Sequence, residues 1–245
     1  MTLPPWLADH AHARGIARFV DYTILRADAT WADVARLCDE AVAAEVIAVC
    51  VNGVWVQRCA ERLRGTPVRV AAVVGFPLGA GTSAAKAAES AIAAEEGAAE
   101  LDMVISIGAA KAGEWQAVTD DVAAVVAAAP GALVKAILET ALLSADEIAK
   151  ACDASRLGGA AFVKTSTGFH PAGGATVEAV AAMRTAVGPR FGVKASGGVR
   201  TADAAVAMLA AGANRIGASS LAGFGGLVGP GAPPLHELLA ARATA

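Results

Sequence analysis

Two rhythms of apolar positions alternate along the chain. Short runs rich in Val, Ile, Ala and Phe, without the polar alternation of a half-exposed strand, occupy residues 18–25, 46–51, 68–76, 99–106, 132–139, 160–167, 191–196 and 215–219. Between them lie longer Ala-rich stretches with helical spacing. Several open on a residue whose side chain accepts a hydrogen bond from a first-turn N–H: Thr30 before WADVARLCDEAVAA, Thr82 and Ser83 before AAKAAESAIAAEEG, Ser144 before ADEIAKACDA, and Thr201 before ADAAVAMLAAGA. Gly97, Gly158 and Gly212 stand where such helices should stop.

Strands that are apolar on both faces belong to a parallel sheet covered by helices, and eight is the number at which such a sheet closes. The pattern therefore predicts a (β/α)8 TIM barrel formed by residues 1–245 as one domain, with residues 5–16 as a short N-terminal helix closing the barrel bottom. A doubly wound open sheet would want a GxGxxG or P-loop motif after its first strand, and neither occurs there.

Composition narrows the picture. With 56% hydrophobic residues but only 4% aromatic, the core must be filled by aliphatic side chains and closely approaching helices. A net charge of −3 without a basic run argues against a nucleic-acid surface. The first residues lack the pattern of a signal peptide, and apolar runs such as 218–235 are broken by Gly and Pro, so no membrane span and a cytoplasmic location are expected. Cys38, Cys50, Cys59 and Cys152 have no CxxC spacing and read as buried free thiols, although Cys50, beside Asn52, could face a pocket. His10 and His12, two positions apart, do not share a helix face and suggest no metal site.

The chemistry is carried by charges placed where strands should be apolar. In FVKTSTG, Phe162, Lys164 and Ser166 share one face and Val163 and Thr165 the other; in FGVKASGG, Gly192, Lys194 and Ser196 form the matching set. The two lysines are one βα unit apart and should project from adjacent strands near their C-terminal ends. Two ammonium groups in a low-dielectric pocket repel, and burial penalises each further, so at least one should be neutral at pH 7. A neutral amine attacks a carbonyl to give an imine, whose protonated form is an electron sink for breaking or making the adjacent carbon–carbon bond. Asp102 in LDMVI is placed to move protons, and Lys135 in LVKAILE to keep it ionised, with Glu139 a further partner. A structural salt-bridge network is the competing reading of such a cluster. SGGVRT at 196–201 and GASS at 217–220 put Gly and Ser at the turns after the last two strands, where this architecture holds phosphate.

With these residues in view, the sequence resembles the deoxyribose-phosphate aldolases, Schiff-base-forming class I aldolases of (β/α)8 fold. The resemblance runs from about residue 18 to 221 through VDYTILRADAT, VCVN, VVGFPLGA, ELDMVISIGA, VKAILET, FVKTSTGF, GVKASGGVRT and NRIGASS. It implies reversible cleavage of 2-deoxy-D-ribose 5-phosphate to acetaldehyde and D-glyceraldehyde 3-phosphate, with no metal or organic cofactor. It implies that Lys164 forms the Schiff base while Lys194 perturbs its pKa and joins a proton relay with Asp102. Lys135 would support the relay, Asp21, Thr23 and Thr165 would line the substrate pocket, and Gly168, Gly197, Gly198, Ser219 and Ser220 would hold the phosphate. Phosphosugar and aldehyde substrates are the expected partners, and a homodimer or homotetramer is left open.

The chain departs from the family pattern at several places. Tyr22 replaces a usual histidine, Arg26 and Ala27 a common Lys-Pro, Ser106 an asparagine, Ala141 a glycine and Ala161 an aspartate. The only tyrosine is Tyr22, whereas some relatives carry one at the C-terminus, so proton handling should lean on Asp102 and water. The alternatives are another Schiff-base aldolase of phosphosugars, transaldolase-like, or a non-catalytic phosphosugar-binding barrel.

Overall fold

A computed structural model describes residues 3–10 and 12–243. Eight strands, β1 (Val20–Ile24), β2 (Ala48–Val51), β3 (Arg69–Val74), β4 (Glu100–Val104), β5 (Leu133–Ile137), β6 (Phe162–Lys164), β7 (Gly192–Ala195) and β8 (Arg215–Ala218), pair in parallel in sequence order and close into a barrel through β8 and β1. Around it run α1 (Trp31–Ala43), α2 (Val56–Arg62), α3 (Ser83–Glu95), α4 (Ile107–Ala112), α5 (Trp115–Ala128), α6 (Ala145–Leu157), α7 (Val177–Val187), α8 (Ala202–Ala211) and α9 (Leu235–Ala243). All eight strands expected from the sequence are present, each shorter than its apolar run.

The helices begin where their capping residues predicted. Thr30, Thr82, Ser144 and Thr201 each accept a hydrogen bond from the N–H three residues on, and at Thr30 and Ser144 the carboxylates of Asp33 and Glu147 reach back to complete a capping box. Thr176 caps α7 in the same way. The stops are less uniform. Gly97 and Gly212 adopt positive φ, but Gly158 stays in the right-handed region and the left-handed turn falls on Gly159. Gly158 serves instead as a close-packing site: a Cβ there would lie 2.7 Å from that of Val122 on α5.

Alternation along the strands divides two environments. Outward residues such as Val49, Val51, Val70, Ala72, Leu101, Met103, Val134 and Ala136 join the large apolar layer between sheet and helices, whose other wall includes Val34, Leu37, Cys38 and Ala41 of α1. Burying each Val or Leu of that kind stabilises the fold by about 1.5–3 kcal/mol. Inward residues of β2 and β3, Cys50, Ala71 and Val73, form a much smaller apolar cluster with Leu25. The other strands turn charged side chains inward together with a few apolar ones such as Val104.

The predicted N-terminal helix is corrected. Residues Pro5–His10 form a 3-10 helix, Gly15 turns at φ 60, and Ala11 lies outside the described residues, so no continuous helix runs from 5 to 16. The segment nevertheless packs under the barrel: Leu7 is fully buried, Trp6 donates through Nε1 to the carbonyl of Leu209 at 2.9 Å, and His10 stands edge-on to Phe19 with ring centroids 4.7 Å apart.

Candidate active site

The strand register brings the sequence-predicted charges into one interior cluster. Lys164 is opposite Lys194 across β6 and β7, and Asp102 is opposite Lys135 across β4 and β5. Asp102 is fully buried and accepts from all three ammonium groups, from Lys164 and Lys194 at Oδ2 and from Lys135 at Oδ1, each at 2.7 Å. The inward placement follows from alternation: Leu101 and Met103 anchor the outer face of β4 in the apolar layer, which leaves Glu100, Asp102 and Val104 pointing in.

Two members of the cluster were not foreseen. Glu100 accepts from Lys135 at 2.6 Å and from Arg215 at 2.9 Å, and Arg215 donates to Asp21 at 2.6 Å; both side chains are buried. Asp21 also bonds Lys194 and lies 3.6 Å from Lys135. Half-exposed Arg69 touches Glu100 from the rim at 3.2 Å. The ion pairs thus run without a break from Lys164 down to the foot of the barrel. The signal for Glu100 and Arg215 was present, since both share the inward phase of Asp102 and Lys194, but a charge on the first residue of a strand reads as a solvated end.

The cluster shifts its amines in opposite directions. Burial pulls Lys164 below the usual lysine range; Asp102 opposes this, Lys194 adds to it, and the balance remains a lowered value. Burial acts on Lys194 and Lys135 too, but Asp102 and then Asp21 outweigh it, and both are raised. Burial would raise the carboxyls, yet Lys135, Lys164 and Lys194 hold Asp102 well below its ordinary value, and Arg215, Lys194 and Lys135 do the same for Asp21. Burial pushes the Cys50 thiol up to about 11, with the neighbouring Asp102 adding to the effect. Cys50 faces the interior with its sulfur 4.0 Å from Asp102.

A cavity of about 440 Å³ opens above this cluster at the C-terminal ends of the strands. Thr23, Lys164, Gly168, Gly197, Gly198 and Ser219 line it, whereas Asp21, Lys135, Thr165 and Ser220 do not. Asp21 and Lys135 are buried below. The Thr165 hydroxyl turns to β7, donating to the Ser196 carbonyl at 3.1 Å and accepting from the Ser196 N–H at 3.0 Å. Ser220 is exposed, and its Oγ accepts from the Ala222 N–H at 3.3 Å. Glu139 does not join Asp102; with φ 55 it turns up to accept from the Thr167 hydroxyl at 2.5 Å and so orders the loop after β6.

Gly168, Gly197 and Gly198 have φ between 82 and 85°, a conformation that suits glycine. Among the described residues their N–H groups, with that of Ser219, have no protein acceptor, which leaves a nest of donors at the wall of the cavity. Arg200, following the second turn, forms no ion pair among the described residues and lines the same wall. Sequence reasoning did not place Arg26 and Arg36 at the cavity, which both line and where Asp33 holds both, at 2.5 and 3.0 Å. It also missed Phe169, which packs edge-on against Phe76 with centroids 5.1 Å apart. Tyr22 lines the cavity too, its hydroxyl donating to Glu40 at 2.6 Å, and burial and that carboxylate push it up to about 12.

A model of the DeoC/LacD family of aldolases matches residues 16–229. A deoxyribose-phosphate aldolase of Brevibacillus brevis is 53% identical over 203 residues, spanning 83% of this chain and 91% of that one. One from a Geobacillus species is 54% identical over 206 residues, spanning 84% and 92%. Among solved structures, the tetrameric deoxyribose phosphate aldolase of Aeropyrum pernix superposes with a TM-score of 0.82 at 33% identity, covering 90% of this chain and 93% of that one. No helix among the described residues is long and apolar enough to cross a membrane.

Proposed function

Because the chain belongs to the DeoC/LacD family of aldolases, and is thereby a carbon–carbon lyase, we propose that it reversibly cleaves 2-deoxy-D-ribose 5-phosphate to acetaldehyde and D-glyceraldehyde 3-phosphate through a Schiff base on Lys164. The observation that carries the reading is positional: of the three interior lysines, only Lys164 reaches the cavity wall, and it is the one whose pKa is lowered.

On this reading the Lys164 amine attacks C1 of the sugar aldehyde. The carbinolamine loses water, taking a proton delivered through Asp102, and the resulting iminium lies beside the Asp102 carboxylate. A base then removes the C3 hydroxyl proton, with Asp102 acting through water, and the C2–C3 bond breaks with its electron pair passing into the iminium as an enamine. Glyceraldehyde 3-phosphate departs. Protonation of the enamine at C2 and hydrolysis release acetaldehyde and restore the amine. Lys194, charged and bonded to both Asp102 and Asp21, supplies and recovers protons for the relay. The free N–H groups of Gly168, Gly197, Gly198 and Ser219, with Arg200, support a phosphate anchor that points the sugar's other end at Lys164. A cytoplasmic setting belongs to the same proposal.

Incubation with acetaldehyde and borohydride, followed by peptide mapping, tests it. The expected product is an ethyl group on Lys164, absent in Lys164→Ala. Label on another lysine, or capture of a dihydroxyacetone-derived unit in preference, would indicate a different Schiff-base aldolase. Tight phosphosugar binding with no adduct would indicate a binding protein.

A further inference from the structure

The ion-paired interior has a charge count that depends on Lys164. Its buried carboxylates are Asp21, Glu100 and Asp102, each held below its ordinary pKa; its raised cations are Lys135, Lys194 and Arg215. These six cancel, so a proton on Lys164 would be the one charge of this cluster without a counter-ion of its own, and an unpaired buried ion is costly. From this geometry we propose that Glu100 and Arg215, neither of which lines the cavity, are positioning residues that fix the charge count and thereby select Lys164 as the neutral amine.

The inference deepens the proposed function and rests on Lys164 being the imine-forming residue. The groups facing Lys164 are Asp102 from β4, Lys194 from β7 and the Cys50 thiol from β2, with Asp21 from β1 and Lys135 from β5 behind them. Glu139 is turned onto Thr167, and His10 stands at the foot of the barrel against Phe19. Glu100 is two residues below Asp102 on β4, about 7 Å along the strand, so its charge acts on Lys164 from roughly 10 Å. At that distance, with an effective dielectric constant of about 20, one unit charge moves a pKa by about one unit. Half-exposed Arg69 also touches Glu100, but solvent screens it.

The two residues must act in opposite directions. Glu100→Gln removes an anion, so the Lys164 pKa should fall further and the acid limb of kcat/KM should move about one pH unit lower. Arg215→Met removes a cation, so the limb should move up by a similar amount. The double variant should return it close to the starting position, and Arg215→Lys should leave it there. Shifts of the same sign, or changes in amplitude alone, would assign the pair a purely structural role and overturn the proposal. Borohydride trapping across the same pH range follows the amine itself; label missing from Lys164 in the unaltered protein would instead sink the Schiff-base reading. In case the core variants do not fold, 15N-lysine NMR of the unaltered protein gives a second test. One neutral interior amine at pH 7, assigned to Lys164, with Lys135 and Lys194 charged, is expected, and all three charged or two neutral would refute the count.

Discussion

Asp102 serves three ammonium groups with two oxygens, and its loss is felt in both stability and rate. Removing one partner of a buried ion pair costs about 3–5 kcal/mol because the remaining charge is stranded. Asp102→Asn keeps the shape but removes the charge that balances Lys135 and Lys194. The variant should melt well below the parent, and kcat should fall by about 10²–10⁴, the usual contribution of a positioned acid–base group. A variant that melts lower but turns over normally would confine Asp102 to structure. Cys50, a few ångströms away, gives a second test. With its thiol pushed up to about 11 and no accessible surface, it should resist iodoacetamide at pH 7.5 in the active protein and react after unfolding. Rapid native labelling would contradict the burial. At this scale the sequence was most legible where a charge broke an apolar run, as at Asp102, Lys135, Lys164 and Lys194. It was least legible at Glu100 and Arg215, whose inward position exists only once β8 closes onto β1 and turns strand ends into interior.

The elements were readable because local signals agreed with the closed barrel. Apolar runs located the strands, and four hydroxyl caps located helix starts that the structure retains. The ends were less readable. The run 160–167 predicts a long strand, yet β6 stops at Lys164, and beyond it the Thr167 N–H is taken by Glu139, 28 positions away in sequence, rather than by the next strand. Residues 5–16 read as helix from spacing, but the glycine at 15 packs with its Cα against the Leu227 carbonyl, where a Cβ would lie 2.1 Å away, and tertiary contact replaces the helix. Ser144→Ala, at the start of α6 and away from the cavity, should cost about 1 kcal/mol in chemical unfolding with kcat unchanged. Gly174 makes the opposite case. A Cβ there would lie 2.2 Å from the Gly197 carbonyl oxygen, so Gly174→Ala must push the turn after β6 away from the turn after β7. On the phosphate-anchor reading, KM for the phosphorylated sugar should rise at least several-fold, with little change toward a non-phosphorylated aldehyde acceptor. Equal loss toward both would place the damage elsewhere.

For the whole molecule, the buried charges make stability a function of pH with different shapes at its two edges. Asp21, Glu100 and Asp102 have folded pKa values below their unfolded ones, so the stability they contribute is complete above about pH 4 and is lost as pH falls through the folded values. Lys135 and Lys194 are raised, so their contribution is complete below about pH 10.4 and is lost as pH rises through the folded values. Lys164 has the reverse sign: its folded value is lowered, so between that value and about pH 10.4 the unfolded chain holds a proton the folded one lacks. Lys164 should therefore add about 1.4 kcal/mol per pH unit to the slope of stability across that window, while Cys50 and Tyr22, raised in the fold, subtract from it above about pH 8.5 and pH 10, and Lys135 and Lys194 together subtract about 2.7 kcal/mol per unit above about pH 10.4, where the folded groups keep protons the unfolded chain has released. Urea unfolding at closely spaced pH values measures the slope. Subtracting the Lys164→Met profile from that of the parent isolates the Lys164 contribution, which should have a positive slope within the window and level off above about pH 10.4. A parent-minus-variant profile with no positive slope would assign the lowered amine to a different residue.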